Sequence, residues 1–209
     1  MERMQRRSPV DFHHLVQRSE ERQDWTVVLE YDQEGQGPWI MDLSHLPRWD
    51  VQDRDLSQFQ PCGEAIPEYP GQSLVTKEVV INRMNRTQAS VWCMPGNESP
   101  MPQDQAYTDI RDNGVCLALA GTGVLALSEK VTNLDFAGPG HESPCLIQGP
   151  MAHVPCQIVL LSRDQERACF LFTCSRGYAR DMVQCLLKAG REFGLRPAGE
   201  DRLGQFLPA

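Results

Sequence analysis

Hydrophobic and polar positions fall mostly into short strand-like runs, and one segment keeps a sustained helical spacing. Trp25 to Tyr31 (WTVVLEY) predicts a strand, Gln33 to Pro38 a glycine-rich turn, and Trp39 to Leu43 a second short strand. Arg48 to Gln52 leads into a polar, helix-like turn around Asp53 to Phe59, followed by a loop through Pro61, Pro67 and Pro70. Thr76 to Asn82 and Thr87 to Met94 alternate as strands do. Pro95 to Pro102, with three prolines, a glycine and a serine, is the best internal linker.

Beyond the linker, Val115 to Ala120 predicts a strand, Thr122 to Lys130 a helix, and Asn133 to Pro150 a long loop. In the strand His153 to Ser162, Cys156, Ile158 and Leu160 share one face while Val159 and Leu161 share the other, the pattern of a strand covered on both sides. A charged turn, Arg163 to Arg167, precedes the buried strand Ala168 to Thr173. Ala179, Met182, Val183, Leu186, Leu187 and Phe193 then keep helical spacing, with Ser175 as N-cap and Gly194 and Pro197 as stop signals. Lys188 and Arg191 complement the negative end of that helix.

The order strand, helix, strand, strand, helix suits a split βαβ arrangement with antiparallel strand pairs, hence an α+β class. A faint echo links Asp42-Leu43-Ser44 to Asp109-Ile110-Arg111, at an offset of 109 minus 42, or 67 positions, and suggests two mixed lobes. The expected organisation is an N-terminal arm (1–24), a first α+β lobe (25–94), a linker (95–106), a second, ferredoxin-like βαββα lobe (107–196) and a C-terminal tail (197–209).

At 209 residues the chain has room for one sizeable core or two intimately packed lobes. Its net charge of -8 opposes a nucleic-acid partner, and Arg3, Arg6 and Arg7 form the only basic cluster, read as a solvated arm or a partner contact. The longest apolar stretch, Val115 to Leu127, falls short of the ~18 to 20 residues of a membrane span, and no signal-peptide pattern opens the chain. No membrane association and a cytoplasmic location are therefore expected. Eight cysteines contain no C-x-x-C pair, and His13, His14, His45, His141 and His153 are scattered, so no metal-ligand set emerges.

Gly121-Thr122-Gly123 with Ala126 matches the G-x-G-x-x-A dinucleotide fingerprint, which raises NAD or FAD binding. That fold needs a second parallel strand soon after the helix, ending in an acidic residue about 20 positions beyond the glycines. Glu142 stands at that distance, but in a Gly/Pro loop, so Gly121 and Gly123 are read as turning the chain. Asp42 and His45 form another polar group without an identifiable nucleophile to serve, and Asp109 is read as a turn made by its own carboxylate.

The segment DIRDNGVCLALAGTGVLALSEKVTNLDF, together with AHVPCQIVLLSRDQERACFLFTCSRGYARDMVQCLLKAGREFG, resembles the gamma subunit of heterotetrameric sarcosine oxidase, a relative of the aminomethyltransferase (glycine cleavage T-protein) fold. RRSPV and WDVQDRDL resemble weaker features of the same family. The resemblance implies an aminomethyltransferase-like folate-binding fold and a non-catalytic subunit of a flavin- and tetrahydrofolate-dependent amine oxidase complex in one-carbon metabolism. FAD or NAD would reside on partner subunits, and the partner would be a larger flavin-containing subunit with a folate-binding domain. Folate-binding relatives carry a glycine-rich turn ending in a glutamate before the penultimate strand. Here Arg163 to Arg167 lacks the glycines; Glu166 would take the place of that glutamate toward tetrahydrofolate, and a solvated hairpin charge is the competing reading of the same residue. Trp39, Arg48 and Trp49 are the candidate interface anchors, because Trp and Arg dominate interface energetics, with both tryptophans as plain core residues the equally weighted alternative. The alternative reading is a stand-alone folate-binding aminomethyltransferase-like protein.

Overall fold

The computed structural model describes residues 6–97, 99–136, 138 and 142–208. Arg3, His141, the first five residues of the arm and Ala209 lie outside the described residues. In chain order the elements are β1 (Val16–Arg22), β2 (Trp25–Tyr31), β3 (Trp39–Asp42), β4 (Arg48–Gln52), β5 (Ser73–Val75), β6 (Val79–Arg83), β7 (Gln88–Cys93), β8 (Tyr107–Asp109), β9 (Gly114–Ala120), α1 (Val124–Ser128), β10 (Cys145–Met151), β11 (Val154–Ser162), β12 (Cys169–Ser175), α2 (Ala179–Gly190) and β13 (Arg196–Ala198). The chain is α+β, dominated by strands.

Two sheets stack face to face beside a β1–β2 hairpin. The larger has the order β10-β11-β12-β9-β3-β13, the smaller β5-β6-β7-β4-β8. All pairings are antiparallel except β13 with β3. The strand period of two explains the layering. In β9, Val115, Leu117 and Leu119 face a core completed by Met182, Val183 and Leu186 of α2, while Cys116, Ala118 and Ala120 face the smaller sheet. In β7, Trp92 turns inward to that shared layer, whereas Val91 and Cys93 pack outward with Trp49, Val51 and Leu56. β11 is covered on both faces as its pattern requires, with Ile158 and Leu160 on one side and Val159 on the other.

The two sheets have matching strand orders, and each takes one strand from the other half of the chain. Strand β3 leaves the first half to pair with β9, and β8 leaves the second half to pair with β4. The echo around Asp42 and Asp109 marks these two crossing points. Asp42 Oδ1 accepts the Ser44 N–H at 3.0 Å and Asp109 Oδ1 accepts the Arg111 N–H at 2.9 Å, the same carboxylate-made turn in both places.

Three local expectations are corrected. The helix after Gly123 covers only Val124–Ser128, because Lys130 onward turns away to reach β10. The stretch 133–150 is not all loop: β10 begins at Cys145, and its Gly149 and Pro150 are tolerated because it is an edge strand of its sheet, whose side away from β11 meets the chain near Cys145, at Gln72 and Gly71. Ser175 caps no α-helix; it precedes a 3-10 turn, Arg176–Tyr178, makes no side-chain cap, and α2 starts at Ala179.

Gly121 and Gly123 adopt φ of 109° and 88°, backbone that a side chain disfavours. They turn the chain from β9 into α1. The next strand, β10, runs antiparallel to β9 through the β11 and β12 pairings, so the segment is not the parallel βαβ unit of a dinucleotide fold. Among the described residues no helix is long and apolar enough to cross a membrane.

Candidate functional site

The densest polar cluster joins the β1–β2 hairpin, the end of β3 and the C-terminal segment. Gly199 makes this junction possible, since a Cβ there would sit 2.1 Å from the Leu29 carbonyl group, closer than any real contact. Its N–H donates to Glu34 Oε1 at 2.8 Å, and Arg202 Nε donates to Glu34 Oε2 at 2.6 Å. One residue on, Glu200 is nearly enclosed. Its carboxylate accepts from Arg22 Nη2 at 2.9 Å, Arg22 Nη1 at 3.1 Å and His45 Nε2 at 2.5 Å. An ionised carboxylate only accepts, so His45 is the donor. Burial pushes the Glu200 carboxyl up, but the hydrogen bonds and positive charge of His45 and Arg22 outweigh it and hold the group below its ordinary value.

His45 also lines a cavity of about 390 Å³ with Asp42, Tyr31, His14, Arg6 and Arg7. Asp42 and His45 are thus brought to one cavity, yet each is already engaged in the fold. Asp42 Oδ1 accepts from Ser44 Oγ at 2.6 Å, its Oδ2 accepts from Ser8 Oγ, and His45 is bound to Glu200. The Tyr31 hydroxyl is pushed up in pKa, first by burial and then by the negative charge of Asp42, Asp11 and Glu34. This arrangement clamps the N-terminal hairpin to the C-terminal segment and presents a face of mixed charge. Arg22, Glu34, Glu200 and Arg202 carry no sequence signal beyond opposite charge, because their pairings span up to 178 positions.

The residues expected at an interface are instead inside the chain. Trp39 is buried, its Nε1 donating to the Glu34 carbonyl at 3.1 Å and its ring under the Arg202 guanidinium at 5.3 Å. Trp49 packs edge-on to Tyr107 in the outer core. Arg48 is 1% exposed, and its Nη2 donates to the carbonyls of Arg111 and Gly114, both at 2.7 Å. Trp39 and Trp49 are thus core residues within this chain, and Arg48 is enclosed with them. Leu15 and Val16, at the start of β1, are instead exposed large apolar residues, and neither carries a helix or strand signature that singles it out in sequence.

Glu166 lies exposed in the β11–β12 turn. Its N–H donates to Asp164 Oδ1 at 2.9 Å and its carbonyl accepts from Thr122 Oγ1 at 3.3 Å. All the cysteines are free thiols, six buried and two half-buried, and among the described residues no group of three or more His, Cys, Asp or Glu is placed to hold a metal ion.

No family model matches the sequence, and no curated protein matches it. Among solved structures, the chain is similar to a chain of the heterotetrameric sarcosine oxidase from Corynebacterium sp. U-96, in complex with pyrrole 2-carboxylate, at a TM-score of 0.60 and 14% sequence identity. The likeness is one of fold. It covers 74% of this chain and 84% of that one, so it embraces most of both.

Proposed function

We propose that this chain is a sarcosine oxidase gamma-subunit-like protein, a subunit without its own active site in a flavin- and tetrahydrofolate-dependent amine oxidase complex. The observation that carries the reading is the fold shared with a chain of a heterotetrameric sarcosine oxidase over 84% of that chain. The flavin and folate of the complex belong to its partner, a larger subunit with a folate-binding domain, and the folding pattern is that of the aminomethyltransferase relatives.

Docking would use the surface near the hairpin. There Leu15 and Val16, beside and at the start of β1, stand at 77% and 50% exposure. Affinity purification of the tagged full-length chain from its native host, with an absorbance spectrum of the eluate, tests the reading. A larger flavin-bearing protein should co-elute in fixed ratio and be lost with Leu15→Asp/Val16→Asp. Elution of the chain alone and colourless would remove the subunit reading. Binding of a reduced folate by that lone chain, weakened by Glu166→Ala, would favour a stand-alone folate-binding protein instead.

A further inference from the structure

A second cavity, also of about 390 Å³, opens between the two sheets, within the range of small-molecule pockets. Its inner end is Arg48 of β4 and Trp92 of β7, direct cross-strand partners that are each 1% exposed. Gln148, Pro155, Asn113 and Ser175 form an exposed rim. The strand period places Arg48 on the inner face of the small sheet, opposite to Trp49 and Val51.

Two hydrogen-bond donors of this inner end are left over. Arg48 Nη1 and Trp92 Nε1 are fully buried, and neither has a hydrogen-bond partner among the described residues. Native folds rarely leave such groups unsatisfied, and each unmade bond is costly. The charge is a larger anomaly. A buried guanidinium is normally matched by a carboxylate, yet Arg48 has two backbone carbonyls and the neighbouring Cys116 thiol, and no carboxylate forms an ion pair with it among the described residues. The cavity lining contains no Asp or Glu either, in a chain whose net charge is -8. Gln148, Gln157, Thr173 and Asn113 supply neutral polar groups around the opening.

We infer that this cavity binds a small organic carboxylate, whose anionic group takes hydrogen bonds from Arg48 Nη1 and Trp92 Nε1 and neutralises the buried guanidinium. Arginine with a carboxylate makes the stronger, charge-assisted kind of hydrogen bond, and the indole N–H adds a directional donor. The remaining volume receives the organic body of the ligand between Gln157 and the β12 residues Thr173 and Cys174. This inference stands independently of the subunit reading.

Ligand-observed NMR titration of the full-length chain with sodium benzoate, at constant ionic strength, tests it, with benzamide as the neutral control of like shape. Benzoate should bind saturably and about tenfold or more tighter than benzamide, as expected for a hydrogen bond to a charged group. Trp92→Phe keeps the apolar ring and removes the N–H, and should weaken benzoate about fivefold or more. Arg48→Met should abolish binding; should that variant fail to fold, the benzamide and Trp92→Phe comparisons decide the matter. Absence of saturable benzoate binding, equal binding of benzamide, or indifference to Trp92→Phe would overturn the site. Inorganic phosphate binding in its place, with benzoate excluded, would overturn the carboxylate assignment.

Discussion

Two residues have consequences that can be measured singly. Cys62 is half-buried, adopts φ of 55°, and its sulfur accepts from the Cys93 thiol and, at 3.4 Å, from Asn97 Nδ2. The Cys93 donor leads in pulling the Cys62 thiol below its ordinary value, against the opposing effect of burial, while Cys93 itself is pushed up. Thiolate, not thiol, is the nucleophile. Iodoacetamide at neutral pH should therefore label Cys62 first, and Cys62→Ser should remove the fast phase; a fast phase residing on half-buried Cys185 would contradict this. Glu200 sets an acid limit. Its folded carboxyl lies below the unfolded value of about 4.3, so its stabilisation is fully present above that value and is lost as pH falls through the lower folded value. Glu200→Gln should cost about 1–3 kcal/mol at neutral pH in urea unfolding, and this deficit should shrink as pH drops below about 4. A deficit that stays constant with pH would show that the ionised carboxylate is not what Arg22 and His45 recognise.

Among the elements, β9 bears the greatest packing load, with Val115 to Ala120 all buried and both faces in use. Leu119→Ala should destabilise the fold by about 2–5 kcal/mol in denaturant titration, whereas a cost near zero would mean that the α2 layer is loosely packed. The strong apolar runs made β2, β7, β9, β11 and β12 legible in sequence, since period-two burial is written directly in residue type. Other elements left no such trace. In β1, VQRSEER is almost wholly exposed and forms a strand only by pairing with β2. The exchange of β3 and β8 between sheets is a matter of distant pairing, of which only the Asp42 and Asp109 turns gave a sign. At the site, sequence singled out Arg48, Asp42 and His45 by type. It could not show that Arg48 lies enclosed beside Trp92, or that Glu200 returns to His45 from 155 positions away.

At the scale of the whole molecule, two sheets of matching strand order exchange one strand each and share a buried layer, and the β1–β2 hairpin region is clamped to the segment around Gly199 through Glu34 and Glu200. Leu15, Val16, Tyr69 and Tyr178 are the large apolar residues exposed among the described residues, and Leu15 and Val16 stand together beside the hairpin. Native mass spectrometry of the tagged chain, drawn from its host without denaturation, tests the subunit reading most directly. The account predicts a species well above 23.6 kDa that holds this chain in integral ratio with a flavin-bearing partner. A spectrum containing only the 23.6 kDa chain would contradict it.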